Sequence, residues 1–458
     1  MTVNQSNLLE RLRQVEAEDA GRVFRDYLRG VSREMLAEVM LEEVKALCGP
    51  AYRPDPEASC YRSGSAPGYA YMESRREPIQ RPRVRRSNEE GATEEVELES
   101  YRAAQDPSET HRLLIEAMSA AGSTRQVGKL VNHQPGSSRS QLSRLWQEAG
   151  REKLAELRHR SLAKDDEGKP MDWLALMLDG VVLADDLVAL VAVGILVDGR
   201  KRVLDFELGA SESLATAQAL VGRLIQRGFR AAADRPLLVV LDGSTALRRA
   251  TTSHFPNARI QRCLVHKERN VKRYLPRRHW EELHDLFDRL RKVEGAEAAI
   301  ETLEELDQFL AVKNLAARNS LHEAGADLIR LHLLDAPATV QRTFLSTNVI
   351  ENMINNIRRS SRRVNRWRAE TDQPARWLSI GLLTAEEGFQ RVSNYRDLPV
   401  VTIRLEENRD EENLRTLHDK LPGWLVEAES PGQTDAQESA PAGSLIDTAD
   451  KVTVGSRG

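Results

Sequence analysis

Two short apolar runs, each closing on Leu-Asp-Gly, constrain the fold more than any other feature. Residues 173–178 precede Asp179-Gly180, and residues 237–241, with Pro236 before them, precede Asp242-Gly243. Short runs rich in Leu and Val and bounded by turn residues predict buried strands. An Asp at the carboxyl end of a buried strand sits where open α/β sheets place their ligands. Residues 188–197 predict a second strand, Asp198-Gly199 a hairpin turn, and residues 202–208 a third strand. A helix capped by Ser211 follows, to about Gly228. After Asp242 come a helix over 247–254, a strand over 259–262 and a helix over 264–275. The expected order is β-β-β-α-β-α-β-α.

Length and composition bound the rest. The chain has 458 residues, 40% apolar and 30% charged, enough for two or three domains with a real core. No run of about 18 apolar residues predicts a transmembrane helix. Residues 1–20 lack the apolar centre of a signal peptide. Cys48, Cys60 and Cys263 are scattered and odd in number, which argues for a reducing cytoplasm.

Net charge is −4, yet the charges are segregated. Residues 75–86 hold six Arg and one acid, residues 259–278 eight basic residues and one acid, and residues 358–368 six Arg and no acid. Six Glu fall within 89–99 and ten acids within 281–307. Localised basic stripes, not the mean charge, are the footprint of a nucleic-acid partner.

The chain divides as follows. Residues 1–50 are helical by periodicity. Residues 51–107 combine a Pro-, Gly-, Ser- and Tyr-rich loop (50–74) with a hint of a hairpin whose tip is 88–92. Residues 108–160 predict three short helices resembling a helix-turn-helix, with Arg139, Ser140, Gln141 and Arg144 on an exposed face; a small helical bundle with a solvated face is the alternative. Residues 161–170 are a polar linker. Residues 171–275 form the first part of the core. Residues 276–340 are an all-helical, acidic insertion. Residues 341–396 return to the core with a helix over 345–368 and another over 377–389. Residues 427–458 are a disordered tail.

The strand order is that of a ribonuclease-H-like core, and it sets Asp179 and Asp242 at one site. Neighbouring carboxylates repel unless a cation lies between them. Mg²⁺, an oxygen-seeking ion, answers that need, and a pair of such ions serves phosphodiester chemistry. Glu351, the only acid between Asp335 and Glu370, is the candidate third ligand. Each residue has a plainer alternative. Asp-Gly is a common turn pair, and Asn348-x-x-Glu351 has capping-box spacing. Arg358, Arg362 and Arg366 recur every fourth residue, with Arg359 and Arg363 beside them. Like charges so placed repel without an anionic partner, which points to a phosphate backbone; a solvated face is the alternative. Cys263-x-x-His266 is half a zinc site; a buried thiol with a histidine near the active site or touching phosphate is the other reading.

Seven motifs, in order, carry a resemblance: RPRVRR (81–86), GSTRQV (122–127), LSRLW (142–146), LDG (178–180), LDG (241–243), FPNARIQRCLVHKERNV (255–271) and STNVIENMINNIRRSSRRVNRW (346–367). Together they resemble the bacterial Mutator-type DDE transposases. The resemblance implies a ribonuclease-H-like catalytic domain with a helical insertion before the last Glu, preceded by a mainly helical end-binding region. It implies a triad of Asp179, Asp242 and Glu351, two Mg²⁺ (or Mn²⁺) per site, and Cys263 and His266 as the family's Cys-x-x-His pair. It further implies binding to double-stranded DNA at terminal inverted repeats, cleavage, strand transfer to target DNA, and a homodimer or higher assembly. A ribonuclease-H-like nuclease or resolvase without strand transfer, and a catalytically idle DNA-binding protein, are the competing functions.

Overall fold

The computed structural model describes residues 17–52, 58–72, 75–87, 93–106, 115, 139–184, 186–361, 364 and 367–428. Helix α1 (Ala17–Cys48) lies on an antiparallel sheet of β1 (Cys60–Met72), β2 (Arg75–Ser87) and β3 (Thr93–Val96). Met40, Val44, Val84, Leu98 and Tyr101 close a small core between them. Helix α2 (Glu99–Ala104) starts on the Glu43 carboxylate of α1, which accepts the Glu99 N–H at 2.7 Å and the Ser100 N–H at 3.0 Å. The expected hairpin is present, with its tip at 88–92 outside the described residues. The expected loop over 50–74 is overturned, since it contains the 13-residue strand β1. This region is therefore part sheet rather than mainly helical. The sheet also pairs the two charge blocks. Arg83 and Arg81 both meet Glu95, at 2.6 and 2.8 Å, so the basic stripe is partly neutralised by the acidic run that follows it.

Of the helices expected over 108–160, residues 107–114 and 116–138 lie outside the described residues. The last is α3 (Arg139–His159), longer than its sequence cue because it continues past Gly150. Gly150 lets α3 approach the helix Gln373–Glu387 closely: a Cβ there would lie 2.9 Å from the Arg376 Cβ. The Trp146 and Trp377 rings meet edge-on at 4.8 Å in the same contact. The polar linker is not free. Leu162 is fully buried and its carbonyl accepts the Trp173 indole N–H at 2.9 Å.

The central sheet contains β4 (Trp173–Ala184), β5 (Leu187–Leu196), β6 (Lys201–Gly209), β7 (Leu238–Leu241) and β8 (Arg259–Arg262), in the order β6-β5-β4-β7-β8. β4, β5 and β6 run antiparallel, whereas β7 pairs parallel to β4 and β8 parallel to β7. The expected element order is observed. Helices α4 (Leu214–Gln226) and α5 (Thr245–His254) cover one face over Leu176, Leu178, Val239 and Leu241. The other face, with Met177, Leu238 and Val240, meets α6 (Leu264–Lys272) and the helices after it. Strands covered on both faces need apolar residues throughout, which is why the two runs do not alternate. Ser213, not Ser211, caps α4, accepting the Thr216 N–H at 3.2 Å. The Asp198-Gly199 turn forms as expected, with Gly199 at φ +83°.

β4 departs from expectation at the point that matters. It does not stop at Asp179-Gly180 but continues to Ala184, with Asp179 paired to Val191 and Gly180 to Leu190. Asp179 is thus a mid-strand residue and its turn reading fails.

The remaining helices are α7 (Trp280–Lys292), α8 (Ala296–Lys313), α9 (Leu315–His322), α10 (Arg330–Leu333), α11 (Ala338–Phe344), α12 (Asn348–Ser361), α13 (Gln373–Glu387), α14 (Leu398–Glu406), α15 (Arg409–Thr416) and α16 (Gly423–Ala428). They share one apolar core with the sheet. α12 ends at Ser361, and residues 364, 367 and 368 are not helical, so the helix expected over 345–368 is shorter. Residues 429–458, most of the expected tail, lie outside the described residues. No helix among the described residues is long and apolar enough to cross a membrane.

Two substitutions test the packing. A Cβ at Gly194 of β5 would sit 2.5 Å from the Trp173 ring and 3.0 Å from Leu204. Gly194→Ala is expected to cost about 1–3 kcal/mol by overpacking, read as a lower urea midpoint with an unchanged slope. His332 is fully buried and donates from Nε2 to the Leu290 carbonyl at 2.9 Å. Burial lowers its pKa from 6.5 to about 4. The unfolded chain therefore binds the proton more readily. This contribution is complete above about pH 6.5 and falls with pH towards 4, at about 1.4 kcal/mol per pH unit. Wild type is expected to lose about 2 kcal/mol more than His332→Gln between pH 6.5 and about pH 5, measured by urea unfolding.

Candidate active site

The last parallel pair between β4 and β7 is Leu178 with Leu241, so the next residue on each strand is an Asp. Asp179 is 2% exposed, and its Oδ1 is buried without a hydrogen-bond partner. Burial pushes its pKa up to about 7; His266 and a Thr347 hydrogen bond pull it back, while Asp242 and Glu351 add to the rise. A buried, unsatisfied carboxylate oxygen is costly and calls for a reason.

Asp242 closes β7 and fulfils part of its turn reading. Its Oδ1 accepts the Ser244 N–H at 2.9 Å, and the Ser244 hydroxyl then caps α5. Gly243 adopts φ +120°, and a Cβ there would overlap the Arg262 guanidinium, so no other residue suits the turn.

Glu351 stands in the first turn of α12. Its side chain makes no capping box. Oε1 lies 3.2 Å from His266 Nε2 and 3.7 Å from an Arg269 nitrogen. The hydrogen bond with His266 is the chief cause of its lowered pKa.

Cys263 and His266 complete the group. The Cys263 N–H donates to Leu241 at 2.7 Å, extending the sheet contact of β8 by one residue before α6 begins. The Leu264 N–H donates to Leu345 at 2.9 Å, which ties α6 to the entry of α12. Burial lowers the His266 pKa, but hydrogen bonds with Cys263 and Glu351 outweigh it and push the value up to about 10. Burial raises the Cys263 pKa, and the bond with His266 brings it below the ordinary thiol value. His266 is thus held between the buried Cys263 and the Glu351 carboxylate. Of the histidines elsewhere in the chain, His284 pairs with Glu268 at 2.9 Å and the His279 ring lies against Phe309, so neither is directed at Cys263 and His266.

Ligand atoms of Asp179, His266 and Glu351 lie within 4.8 Å of one another, the only such group among the described residues. Asp242 stands outside that group of three, though its charge acts on Asp179. Two neighbours were not singled out in the sequence. Glu212, just before α4, packs on Gly180, where a Cβ would overlap its carboxylate. Burial and the charge of Asp242 raise its pKa. The only sequence cue was the glycine itself, which read as a turn. Thr347 is fully buried; its hydroxyl donates to Cys263 Sγ at 3.7 Å and lies 3.4 Å from His266 Nδ1. One small side chain thereby links the start of α12 to α6.

The arginines are less complete. Arg358 is exposed and donates to the Val182 carbonyl at 3.1 Å. The side chains of Arg359 and Arg139, and Arg362, Arg363 and Arg366 altogether, lie outside the described residues. α12 itself ends at Ser361, and residues 364, 367 and 368 are not helical. Arg144 is exposed on α3.

Residues 3–388 match the family described as Transposase, Mutator family. The chain belongs to that family. It is similar to the transposase for insertion sequence element IS905 of Lactococcus lactis subsp. lactis (strain IL1403), 25% identical over 345 residues, which are 74% of this chain and 84% of that protein. It is likewise similar to the transposase for IS1081 of Mycobacterium tuberculosis (strain ATCC 25618 / H37Rv), 25% identical over 363 residues, 76% of this chain and 81% of that protein. Over a shorter stretch of 123 residues it is 37% identical to the transposase for ISRM5 of Rhizobium meliloti (strain 1021), 26% of this chain and 29% of that protein. The Thr347 hydroxyl is a joint between the helix that carries His266 and the helix that carries Glu351. Thr347→Val keeps the shape and removes the donor. It is expected to cost about 1–2 kcal/mol, seen as a lower Tm, whereas an unchanged Tm would show that the joint carries no weight.

Proposed function

We propose that this Mutator-family chain is a DDE transposase of the insertion-sequence kind, with Asp179, Asp242 and Glu351 as its metal ligands. The carrying observation is the convergence of Asp179, Glu351 and His266 within 4.8 Å beside Asp242, where the parallel pairing of β4 with β7 ends. The strand order supports a ribonuclease-H-like core, with the helices of 276–340 inserted before Glu351.

The residues fit a hard divalent cation. Asp179 offers a buried oxygen with no partner, and carboxylate oxygens are what Mg²⁺ or Mn²⁺ prefers. Two such ions, when bound, supply the Lewis acidity that activates the attacking oxygen and steadies the leaving one in phosphodiester transfer. The chain's own groups do the rest. Asp179 and Asp242 fix the two strands' contributions from a rigid sheet, while Glu351 arrives from α12. His266 holds a proton against Glu351 and keeps that carboxylate oriented. Arg269, Arg358 and the arginines through Arg366 bind the phosphate backbone. The polypeptide supplies no nucleophile: water cleaves at the element's terminal inverted repeats, and the freed 3′-hydroxyl attacks target DNA. Handling two ends at once calls for a homodimer or higher assembly, acting on double-stranded DNA in the cytoplasm.

Purified protein incubated with oligonucleotides bearing the element's own end, target DNA and Mg²⁺ is expected to yield joined products. Asp242→Asn should lower joining by more than the roughly hundredfold typical of losing an outer-shell partner of a metal site, while end binding persists. Cleavage without joining would favour a nuclease or resolvase, and binding alone an idle descendant.

A further inference from the structure

Beside α12 lies a groove of about 1060 Å³, bounded by α11, α12, α13 and the segment 388–394. Asn348, Asn352 and Asn356 line it at four-residue spacing, so they form one row on the helix. That row stands about a quarter-turn round α12 from Glu351, at 3.6 residues per turn. Lys201, Arg342 and Arg391 also line the groove, and no Asp or Glu does. Lys201 is half-buried, and burial alone lowers its pKa; no carboxylate partner for it is found among the described residues. Its ammonium lies over the Phe389 ring at 5.1 Å, and Phe389 lines the groove too. A half-buried cation without an anion is a cost that a bound anion relieves.

We infer that this groove holds an unpaired strand of DNA, running along the helix that carries Glu351. The inference rests on the transposase reading and gives that reading a second contact surface. Three cations without an acid suit successive phosphates. The asparagine amides, each both donor and acceptor, suit exposed base edges. Phe389 offers a ring on which a base stacks. A strand parted from its complement at the cleavage point is what such a reaction must accommodate.

The test uses the full chain and a fluorescein-labelled single strand of roughly twelve nucleotides. Wild type is expected to bind it, and the triple variant Lys201→Gln, Arg342→Gln, Arg391→Gln should bind at least about tenfold more weakly. The slope of log K against log salt should flatten by about two, for three lost phosphate contacts on a single strand. Asn352→Ala with Asn356→Ala should weaken binding and leave the slope unchanged. Unchanged Tm and circular dichroism guard against misfolding. As a second measurement, a strand bearing 4-thiothymidine is expected to crosslink wild type within the peptide containing Phe389 or the one containing Asn352. An unaltered affinity and slope in the triple variant, or crosslinks only elsewhere, overturn the groove. If wild type joins DNA ends while the triple variant binds normally, the groove fails and the transposase reading stands. If the groove binds and no cleavage or joining occurs, the reverse holds.

Discussion

The parallel pairing of β4 with β7 is the constraint on which the site depends. Once Leu178 pairs with Leu241, two aspartates follow at the same level on adjacent strands. Both strands are sealed on either face by helices, so Asp179 cannot relax into water. The packing that stabilises the sheet thus concentrates negative charge at one place. The surrounding architecture answers that charge with a cationic His266 and with hydrogen bonds from Thr347 and Ser244. Glycine at 180 leaves room for yet another carboxylate, Glu212. So many acids around one buried, unpartnered oxygen are hard to account for by stability alone.

The Cys263–His266 pair owes its effect to position. Backbone bonds from residues 263 and 264 hold α6 between β7 and the entry of α12. From there His266 reaches Glu351, and Thr347 closes the loop of contacts. The third carboxylate comes from a segment more than a hundred residues from the first two strands' ends in sequence terms, and this junction is how the fold brings it back. The intervening helices act as a buttress. Asp410 receives both Arg259 of β8 and Arg330 of α10, each at 3.0 Å, locking the later helices to the sheet edge.

Much of this was legible in the sequence, and the losses have physical causes. The two Leu-Asp-Gly runs announced buried strands because only double-sided burial tolerates unbroken apolar stretches. They did not reveal that β4 runs on through Asp179-Gly180, since a pair favoured in turns masks a glycine kept for the space it leaves. Strand β1 was read as loop because its Pro67, Gly64 and Gly68, paired with a β2 that holds Pro78 and Pro82, carry the composition of a loop; such residues are tolerated in a two- or three-stranded ribbon with a bulge. Glu351 was found because it is isolated among Asn and Arg. Glu212 and Thr347 were not, because their importance lies in what they touch across the fold. The charge blocks near the N-terminus were visible, whereas their mutual neutralisation depends on strand register.

The claim that the buried carboxylates await a cation is tested most directly by thermal unfolding of wild type and Asp179→Asn across a Mg²⁺ titration. A ligand that binds only the folded state raises Tm with concentration, by RT ln(1 + [L]/Kd) in stability. The account predicts that wild type rises with Mg²⁺, and that Asp179→Asn, relieved of a buried charge, starts higher and stays flat. A variant that starts lower, or that gains as much from Mg²⁺ as wild type does, would contradict it.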